Sequence, residues 1–320
     1  MTIRTRRKIK EADAILLADW HIRPDTPLCR TDDFFAAQER KIDFIFDLAK
    51  KHNCPILVAG DLGDKSQWPN WLLEWFTKKV FDNFDESPIV VIPGQHDLPN
   101  HRLEDWKKSG IGVLNASEAI KLLDSENGQD VNIMYFDHYC AVLSFPYSME
   151  LGKVDLNNSI PIIALTHQMV IEDRKLWPDL KAPQGHDLLK RFPQYDLILS
   201  GDNHLPFVCE YEGRLLVNPG SIMRIRADQK DHKPRIYLWY SDTNTVDPAY
   251  LPIEQDVISR EHIEAQETKD KRIEVYAKRI KSDIEIKLSF EDNLEEYFNS
   301  NRIEKVVKDK VWETVKGEIL

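Results

Sequence analysis

The chain has 320 residues, which is enough for two domains or for one large domain with an appendage. Apolar side chains make up 42% of it and charged ones 30%, so a disordered chain is excluded. The 54 acidic and 43 basic side chains give a net charge of −11, which disfavours a simple polycation clamped on DNA or on an anionic membrane. A metalloenzyme stays compatible with this charge, because metal-binding carboxylates count as negative in the sum.

The cysteines and the N-terminus indicate the cellular setting. Cys29, Cys54, Cys140 and Cys209 form no Cys-x-x-Cys pair, which disfavours a disulfide framework or a zinc knuckle and favours a reducing compartment. Met1–Lys10 is basic but leads into no apolar signal segment, and no apolar run approaches the ~20 residues of a membrane helix. We therefore expect a cytoplasmic protein with no membrane association.

Strand and helix patterns alternate in the first hundred residues. Apolar runs predict strands, and helical periodicity predicts helices between them: strands over Ala14–Ala18, Pro55–Ala59 and Pro88–Ile92, and helices over Asp32–His52 and Trp68–Phe84. Asp32 or Asp33 can cap the first helix. One side of the second helix is apolar and is predicted to face the core; it carries Trp71, Leu72, Trp75, Phe76 and Val80.

The middle of the chain is richer in strands. One helix, Asp187–Phe192, is predicted among them, and a tight turn at Asp137-His138 and another at Glu212-Gly213 join neighbouring strands. The predicted strands are Val131–Phe136, Tyr139–Phe145, Ile160–Leu165, Asp196–Leu199, Phe207–Tyr211, Arg214–Val217 and Arg235–Tyr240. This order predicts an α/β fold, a sandwich of mixed β-sheets flanked by helices.

The composition changes after about residue 251. Glu254–Lys281 is polar and is interpreted as a linker with a helix, and Ile284–Phe290 alternates as a strand does. An apolar residue recurs at every fourth position of the last segment and predicts an amphipathic helix: Ile303, Val307, Val311 and Val315. We predict a main domain over residues 10–245 and a small α+β appendage over residues 251–320. The apolar face of its last helix either docks a partner or packs on the appendage itself.

Metal-ligand side chains follow five of the predicted strands. These blocks are Asp19-Trp20-His21, Gly60-Asp61-Leu62-Gly63-Asp64, Pro93-Gly94-Gln95-His96-Asp97, Thr166-His167 and Gly201-Asp202-Asn203-His204. Open α/β sheets place their sites at the carboxyl ends of strands. Each block alone has an ordinary structural explanation, such as a capping Asp or a core histidine. Together, in this order and at these positions, they predict a metal site.

The spacing within the blocks suits shared ions. In extended chain residues i and i+2 point the same way, so Asp19 and His21 are expected to converge on one ion. A glycine precedes Asp61, Gln95 and Asp202, which allows a sharp turn and a close approach. Asp61 can bridge two cations about 3.5–4 Å apart, an arrangement that generates hydroxide and displaces a group at phosphorus. Mixed nitrogen and oxygen ligands suit Mn²⁺, with Fe²⁺, Zn²⁺ or Mg²⁺ as alternatives.

The ordered blocks resemble those of the calcineurin-like metallophosphoesterases. Two further details resemble the SbcD-type DNA repair nuclease branch, namely Gly60-Asp61-Leu62-Gly63-Asp64 and the turn Asn218-Pro219-Gly220-Ser221 followed by Arg224. The resemblance covers about residues 14–240 and implies a catalytic domain with two divalent ions. It implies one ion held by Asp19, His21, Asp61 and His204, and a second held by Asp61, Gln95, His167 and Asp202.

The resemblance also implies that His96 is the catalytic histidine and that Asp97 orients its ring. Two positions depart from the family pattern at the second ion, because the family has Asn where Gln95 stands and His where Asp202 stands. An anionic oxygen in place of a neutral nitrogen makes this site harder, which favours Mn²⁺ or Mg²⁺ over Zn²⁺.

The function implied by the resemblance is that of a nuclease acting on DNA ends or hairpins, with an SbcC-type coiled-coil ATPase as partner and a homodimer as its state. Candidate DNA contacts are His101, Arg224 and Arg226. The residues leave two alternatives open. One is a phosphatase or cyclic-nucleotide phosphodiesterase with a small substrate, and the other is a non-catalytic DNA-end-binding or partner-binding subunit.

Overall fold

A computed structural model of the chain describes residues 11–123, 133–136, 140–154, 160–173, 179–261, 263, 271–275 and 290–317. The chain divides into two compact units, with the boundary between Ser259 and Arg260. This boundary lies later than the predicted domain limits, because Leu251 is buried in the core of the first unit and Ile258 pairs with Arg30.

Twelve described strands form two six-stranded sheets. In chain order they are β1 (Ala14–Leu17), β2 (Ile56–Val58), β3 (Ile89–Val91), β4 (Lys121–Leu122), β5 (Ile133–Phe136), β6 (Cys140–Phe145), β7 (Ile162–Thr166), β8 (Leu197–Ser200), β9 (Phe207–Tyr211), β10 (Arg214–Asn218), β11 (Arg235–Tyr240) and β12 (Thr245–Tyr250). The first sheet has the order β12-β11-β1-β2-β3-β4, and the second has the order β5-β6-β7-β8-β10-β9.

Both sheets are mixed, as predicted. Strands β1 to β4 are parallel, and β11 and β12 add an antiparallel edge to them. In the second sheet β6, β7, β8 and β10 are parallel, and β5 and β9 are the antiparallel edge strands. The predicted turn at Asp137-His138 lies outside the described residues.

The side chains of the central strands alternate between two cores. In β1, Ala14 and Leu16 lie in the cluster between the sheets, where they join residues of the second sheet such as Ile163. Ile15 and Leu17 lie on the other face, against the helices of the first half of the chain. A third cluster covers the outer face of the second sheet. The order of layers is therefore helix, sheet, sheet, helix, which confirms the predicted fold class.

In the described part of the first unit, four α-helices cover these outer faces, and they are α1 (Phe34–His52), α2 (Asn70–Phe81), α3 (Gly110–Ala116) and α4 (Gly185–Arg191). Asp33 caps α1, because its carboxylate accepts a hydrogen bond from the amide of Ala36 at 3.0 Å. The predicted core face of α2 is only partly buried. Its i, i+4 row of Leu72, Phe76 and Val80 is in the core, but Trp71 is 48% exposed.

The second unit contains α5 (Phe290–Ser300) and α6 (Lys305–Gly317). Phe298 of α5 is buried and meets the ring of Trp312 edge-on, with 6.4 Å between the centroids. The predicted strand over residues 284–290 lies outside the described residues except for Phe290, which begins α5. None of the helices in the described part of the chain is long and apolar enough to cross a membrane.

Candidate metal centre

The predicted metal ligands meet at one edge of the two sheets, in the loops that follow the carboxyl ends of β1, β2, β3, β7 and β8. Parallel strands bring these loops together, although Asp19 and His204 are 185 positions apart in the chain. The structure brings together all seven residues, which are Asp19, His21, Asp61, Gln95, His167, Asp202 and His204.

The residues predicted for the first ion lie in mutual contact. The Nε2 atoms of His21 and His204 are 3.1 Å apart, and Asp19 Oδ1 lies 3.9 Å from His204 Nε2. Asp61 Oδ2 lies 3.9 Å from His21 Nε2. Two ligands bound at right angles to one ion, each about 2.1 Å from it, lie about 3 Å apart. The spacing of the imidazole nitrogens is therefore that of two ligands of one cation.

The residues predicted for the second ion meet the first group at the same oxygen of Asp61, Oδ2. Asp61 Oδ2 lies 3.4 Å from His167 Nε2. His167 Nδ1 lies 2.8 Å from the carbonyl oxygen of Ala59, which can only accept, so Nδ1 carries the proton and Nε2 is the nitrogen available to a metal. Gln95 Nε2 lies 3.4 Å from Asp202 Oδ1, which places the two unusual residues side by side. Asp61 Oδ2 thus lies near imidazoles of both groups, and Asp19 also touches the second group, because its Oδ1 accepts from the amide of Asp202 at 3.0 Å.

Four of the ligands adopt a left-handed backbone conformation. The φ angles are 49° for Asp19, 49° for His21, 52° for Asp61 and 72° for Asp202. The expectation that extended chain brings Asp19 and His21 to one side is therefore wrong, since a kink at each residue turns the side chains inward. Such positions cost on the order of 1–3 kcal/mol each and persist where surrounding contacts fix them. Here the amide of His21 donates to the carbonyl of Asp61 at 3.0 Å.

Two glycines allow this close packing, as predicted. A Cβ atom on Gly60, whose φ is +85°, would lie 2.2 Å from Nδ1 of His167. A Cβ atom on Gly94 would lie 2.2 Å from the amide nitrogen of Asp61. Any larger residue at either position would push a metal ligand out of place.

Burial determines the protonation of the centre. Burial lowers the pKa of His21 to about 3 and that of His204 to about 4, so both imidazoles are neutral at pH 7 and can bind a metal. Burial raises the pKa of Asp19 to about 8. Burial alone would lower the pKa of His167, but the adjoining Asp61 carboxylate outweighs it and raises this pKa to about 10. A proton on His167 and a divalent cation are alternative ways of neutralising Asp61.

The residues present fit a pair of divalent cations. Asp19 Oδ2, Asp61 Oδ2 and His167 Nε2 are buried and have no hydrogen-bond partner. A buried polar atom left unpaired costs about 1–3 kcal/mol. Bound cations would satisfy all three atoms, and the mixture of imidazole nitrogen and carboxylate oxygen is a donor set that Mn²⁺, Fe²⁺, Zn²⁺ and Mg²⁺ accept.

His96 lies next to the ligands, but Asp97 does not orient its ring. The amide of His96 donates to Asp61 Oδ1 at 2.8 Å, and its Nδ1 lies 3.0 Å from the carbonyl oxygen of Asp64. The predicted role of Asp97 is wrong, because its carboxylate is buried and accepts hydrogen bonds from three backbone amides, those of Leu62, Gly63 and Gly94. Asp97 thus joins the two loops that carry Asp61 and His96.

Arg23 is a residue of the site that sequence reasoning missed. Its guanidinium lies 3.1 Å from the carboxylate of Asp64, the residue whose carbonyl holds His96. A signal was present in the sequence, since Asp64 closes the block that begins with Gly60, and an aspartate at such a position needs a partner. Nothing in the local pattern of Arg23 marks it as that partner.

The three predicted DNA contacts have different surroundings. Arg226 lines a cleft of about 540 Å³ together with His96, Asp202 and His204. His101 is exposed in the loop after β3. Arg224 is buried, and its guanidinium donates to the carbonyls of Lys230 and Glu254. The prediction that Arg224 contacts DNA is therefore wrong.

The family model of the calcineurin-like phosphoesterases matches residues 14–206. The chain belongs to this family. This phosphoesterase is accordingly a metal-dependent hydrolase of phosphoesters, and the family binds two divalent metals, for which the cluster at the sheet edge supplies candidate ligands.

Several solved structures are similar to this phosphoesterase. An archaeal phosphodiesterase has 13% identity and a TM-score of 0.39, with 74% of this chain and 99% of that one covered. A putative 5′-nucleotidase from Staphylococcus aureus has 12% identity and a TM-score of 0.43, with 76% and 54% covered. The phosphopantetheinyl hydrolase PptH from Mycobacterium tuberculosis has 12% identity and a TM-score of 0.43, with 75% and 96% covered.

These likenesses are too distant to bear on the substrate of the phosphoesterase. A search of curated proteins returns no significant match. The resemblance to the SbcD-type nuclease branch stays a prediction.

Proposed function

We propose that this phosphoesterase is a phosphodiesterase with two Mn²⁺ ions, and that it acts as a nuclease on DNA ends or hairpins in recombination or repair. The observation that supports this proposal best is the cleft beside the metal centre, which is lined by both His96 and Arg226. It offers an acid–base group and a cation next to the atoms that would hold the metals.

His96 is suited to assist the leaving oxygen. The carbonyl of Asp64 fixes its Nδ1, so Nε2 is the nitrogen free to touch a phosphate oxygen or to protonate the leaving group. The divalent ions of such a centre supply a hydroxide nucleophile and neutralise charge at phosphorus when they are bound. The residues of the chain hold the substrate and deliver the proton.

The charge of the cleft suits a diester. Among the described residues that line the cleft, Arg226 is the one that carries a permanent positive charge. Its side chain is 66% exposed and lies 3.2 Å from the carboxylate of Asp228. An exposed ion pair of this kind contributes little to stability, so a phosphate can replace Asp228 as the partner of Arg226. An internal diester has one negative charge, whereas a terminal phosphate carries about −1.5 to −2.

Cleavage of end-labelled hairpin and linear duplex DNA with Mn²⁺ tests the proposal. We expect cleavage by the wild-type protein and a loss of at least a hundredfold in Asp61→Asn, which removes the shared carboxylate, and in His96→Ala. Asp187→Asn, an exposed substitution on α4, is the matched control and should cleave normally. If wild type and Asp61→Asn cleave equally, the activity belongs to a contaminant and the proposal is wrong.

A phosphatase or cyclic-nucleotide phosphodiesterase is the second candidate, and the net charge of −11 favours it because a small substrate needs no extended basic surface. Hydrolysis of p-nitrophenyl phosphate or cyclic AMP without cleavage of DNA would support it. The non-catalytic alternative is separated by metal content. Two ions per chain support an enzyme, and one or none supports a binding subunit.

The proposed partners are DNA, an SbcC-type coiled-coil ATPase and a second copy of the chain. The predicted docking face is the apolar row of Ile303, Val307, Val311 and Val315, and its Val307 is 49% exposed on α6. We expect Val307→Asp to abolish binding of such an ATPase without unfolding the chain, while the neighbouring exposed substitution Lys310→Ala leaves binding intact. Equal binding by both variants would place the interface elsewhere. Light scattering on the isolated protein tests the homodimer.

A further inference from the structure

A second cavity lies beside the metal centre and shares none of its described lining residues with the cleft. It has a volume of about 200 Å³, and we call it the side pocket. Its walls are formed mainly by Ile22, Pro24, Trp68, Pro69 and Leu72.

The side pocket is connected directly to the proposed chemistry. Ile22 follows the metal ligand His21 in the chain. Asp64, at the rim of the pocket, holds Nδ1 of His96 through its carbonyl oxygen at 3.0 Å. His96 also lines the cleft, so its hydrogen bond to Asp64 joins a residue of the cleft to a residue of the side pocket. This one hydrogen-bonded pair connects the two cavities, which makes the side pocket a candidate for a group attached to a phosphate at the metal centre.

The charges at the rim are balanced. Arg23 pairs with Asp64 at 3.1 Å and also with Asp25, and Lys65 adds a second cation to these two carboxylates. A guanidinium shared by two carboxylates has no charge left for a phosphate. The pocket therefore suits an uncharged group with polar edges, not an anion.

The volume and the wall residues of the side pocket restrict the kind of group that it can bind. A volume of about 200 Å³ is below the ~300–1,000 Å³ of pockets for drug-sized ligands, and is enough for one flat ring system. Proline, leucine and tryptophan walls favour the faces of such a ring. The exposed Gln67 donates its amide nitrogen to the carbonyl of Lys108 at 2.8 Å, and its amide oxygen can accept from the edge of the ring.

We propose that the side pocket binds the nucleobase of a nucleotide next to the phosphodiester that is cleaved. This inference rests on the proposed function and specifies its substrate. A base can enter the pocket only when it is unstacked and unpaired, so the pocket selects frayed ends and hairpin loops over the interior of a duplex.

Two p-nitrophenyl diesters, one carrying a thymidine and the other a methyl group, test the proposal. We expect kcat/KM for the p-nitrophenyl ester of thymidine 5′-monophosphate to exceed that for methyl p-nitrophenyl phosphate by roughly tenfold, a typical value for one buried base. Gln67→Trp, which fills the rim with a new side chain, should reduce this ratio to about one. Asn70→Trp, an exposed neighbour outside the pocket, is the matched control and should keep the ratio of the wild type.

A binding measurement on the metal-free protein gives a second readout. Thymidine should shift the NMR signal of the Trp68 indole N–H, identified by its loss in Trp68→Phe, and the shift should be absent in Gln67→Trp. An unshifted signal, together with an equal ratio in wild type and Gln67→Trp, overturns the side pocket as a base site. A wild-type protein that hydrolyses neither diester with Mn²⁺ overturns the proposed function instead, and the thymidine titration still decides the pocket.

Discussion

Arg23 is linked to His96 through Asp64, which contacts both residues. Gln38 is buried in α1 and fixes the backbone of Arg23 from both sides, accepting from its amide at 3.0 Å and donating to its carbonyl at 2.9 Å. Arg23 in turn binds the carboxylate of Asp64, whose carbonyl holds the ring of His96. The orientation of the proposed catalytic histidine is thus fixed from a helix of the outer layer.

Loss of Arg23 should lower turnover more than binding. We expect Arg23→Ala to reduce kcat for methyl p-nitrophenyl phosphate about tenfold, equivalent to about 1.4 kcal/mol, with little change in KM, because Asp64 and the ring of His96 lose their support. Arg23→Lys should recover part of kcat, since it restores the charge. Arg102→Ala, an exposed arginine paired with Glu104, is the control. A change in KM alone would show that Arg23 binds substrate and does not position His96.

The two unusual residues of the second metal position should determine its selectivity. Asp202 provides an anionic oxygen beside the amide of Gln95, which favours a hard cation. We expect the double variant Gln95→Asn, Asp202→His to shift the ratio of Zn²⁺ to Mn²⁺ affinities toward Zn²⁺ by at least tenfold, as measured by calorimetry on the metal-free protein. An unchanged ratio would mean that neither residue binds the ion.

For single residues, the sequence indicates which side chains lie together at the site, but not their backbone angles or hydrogen-bond partners. Residues at the ends of parallel strands become neighbours whatever the loops between them contain, and this made the meeting of the seven residues predictable. The left-handed φ angles of Asp19 and His21 depend on hydrogen bonds to a neighbouring loop. The contacts of Asp97 and the burial of Arg224 likewise depend on segments that are distant in the chain, so local patterns could not reveal them.

At the scale of elements, the loop between β10 and β11 is held by buried basic side chains. Lys41 donates to the carbonyl of Ile222 at 2.8 Å, and Arg30 donates to that of Arg224 at 3.0 Å. Arg224 itself donates to Lys230 at 3.2 Å. These bonds hold the loop that carries the exposed Arg226.

The sequence analysis did not predict two of the strands, β4 and β12. Strand β4 has only two residues, and β12 is an edge strand that contains Pro248, so neither shows a clear alternation of apolar and polar residues.

Substitution of Arg224 should affect stability, whereas substitution of Arg226 should affect substrate binding. Arg224→Ala removes the donor from two partly buried carbonyls, those of Lys230 and Glu254, and should lower the free energy of unfolding by about 1–3 kcal/mol. Arg226→Ala should leave stability unchanged and raise KM for a diester. Urea denaturation and steady-state kinetics on both variants separate the roles. Equal stability of the two variants would show that the buried contacts of Arg224 contribute nothing.

For the whole molecule, the acidic excess is compatible with a nucleic-acid substrate. Asp19, Asp61 and Asp202 contribute three of the negative charges, and two divalent cations would outweigh these three locally. The net charge outside the centre stays negative, which opposes tight binding of DNA by this chain alone. A second copy or an ATPase partner would have to supply the basic surface, as the proposed assembly requires.

Stability of the whole molecule should depend on pH through Lys41. Burial, and next the guanidinium groups of Arg30 and Arg224, lower the pKa of Lys41 from 10.5 to about 7, while the facing carboxylates of Asp32 and Glu254 oppose this shift. Between these two pH values the unfolded chain holds a proton that the folded chain has released. The free energy of unfolding therefore rises with pH between about 7 and 10.5. Below about pH 7 Lys41 is protonated in both the folded and the unfolded chain, so it adds no further dependence on pH.

Lys41→Met should remove this contribution. As pH increases from about 7 to about 9, wild type should gain about 1–2 kcal/mol of stability relative to the variant, within the limit of about 1.4 kcal/mol per pH unit for one proton. Urea denaturation at several pH values measures the difference, and Lys51→Met, on the exposed side of α1, should follow wild type at every pH. Parallel curves for wild type and Lys41→Met would mean that Lys41 keeps its proton in the folded state, held by the carbonyl of Ile222. The loop between β10 and β11 would then rest on three buried cations, Lys41, Arg30 and Arg224.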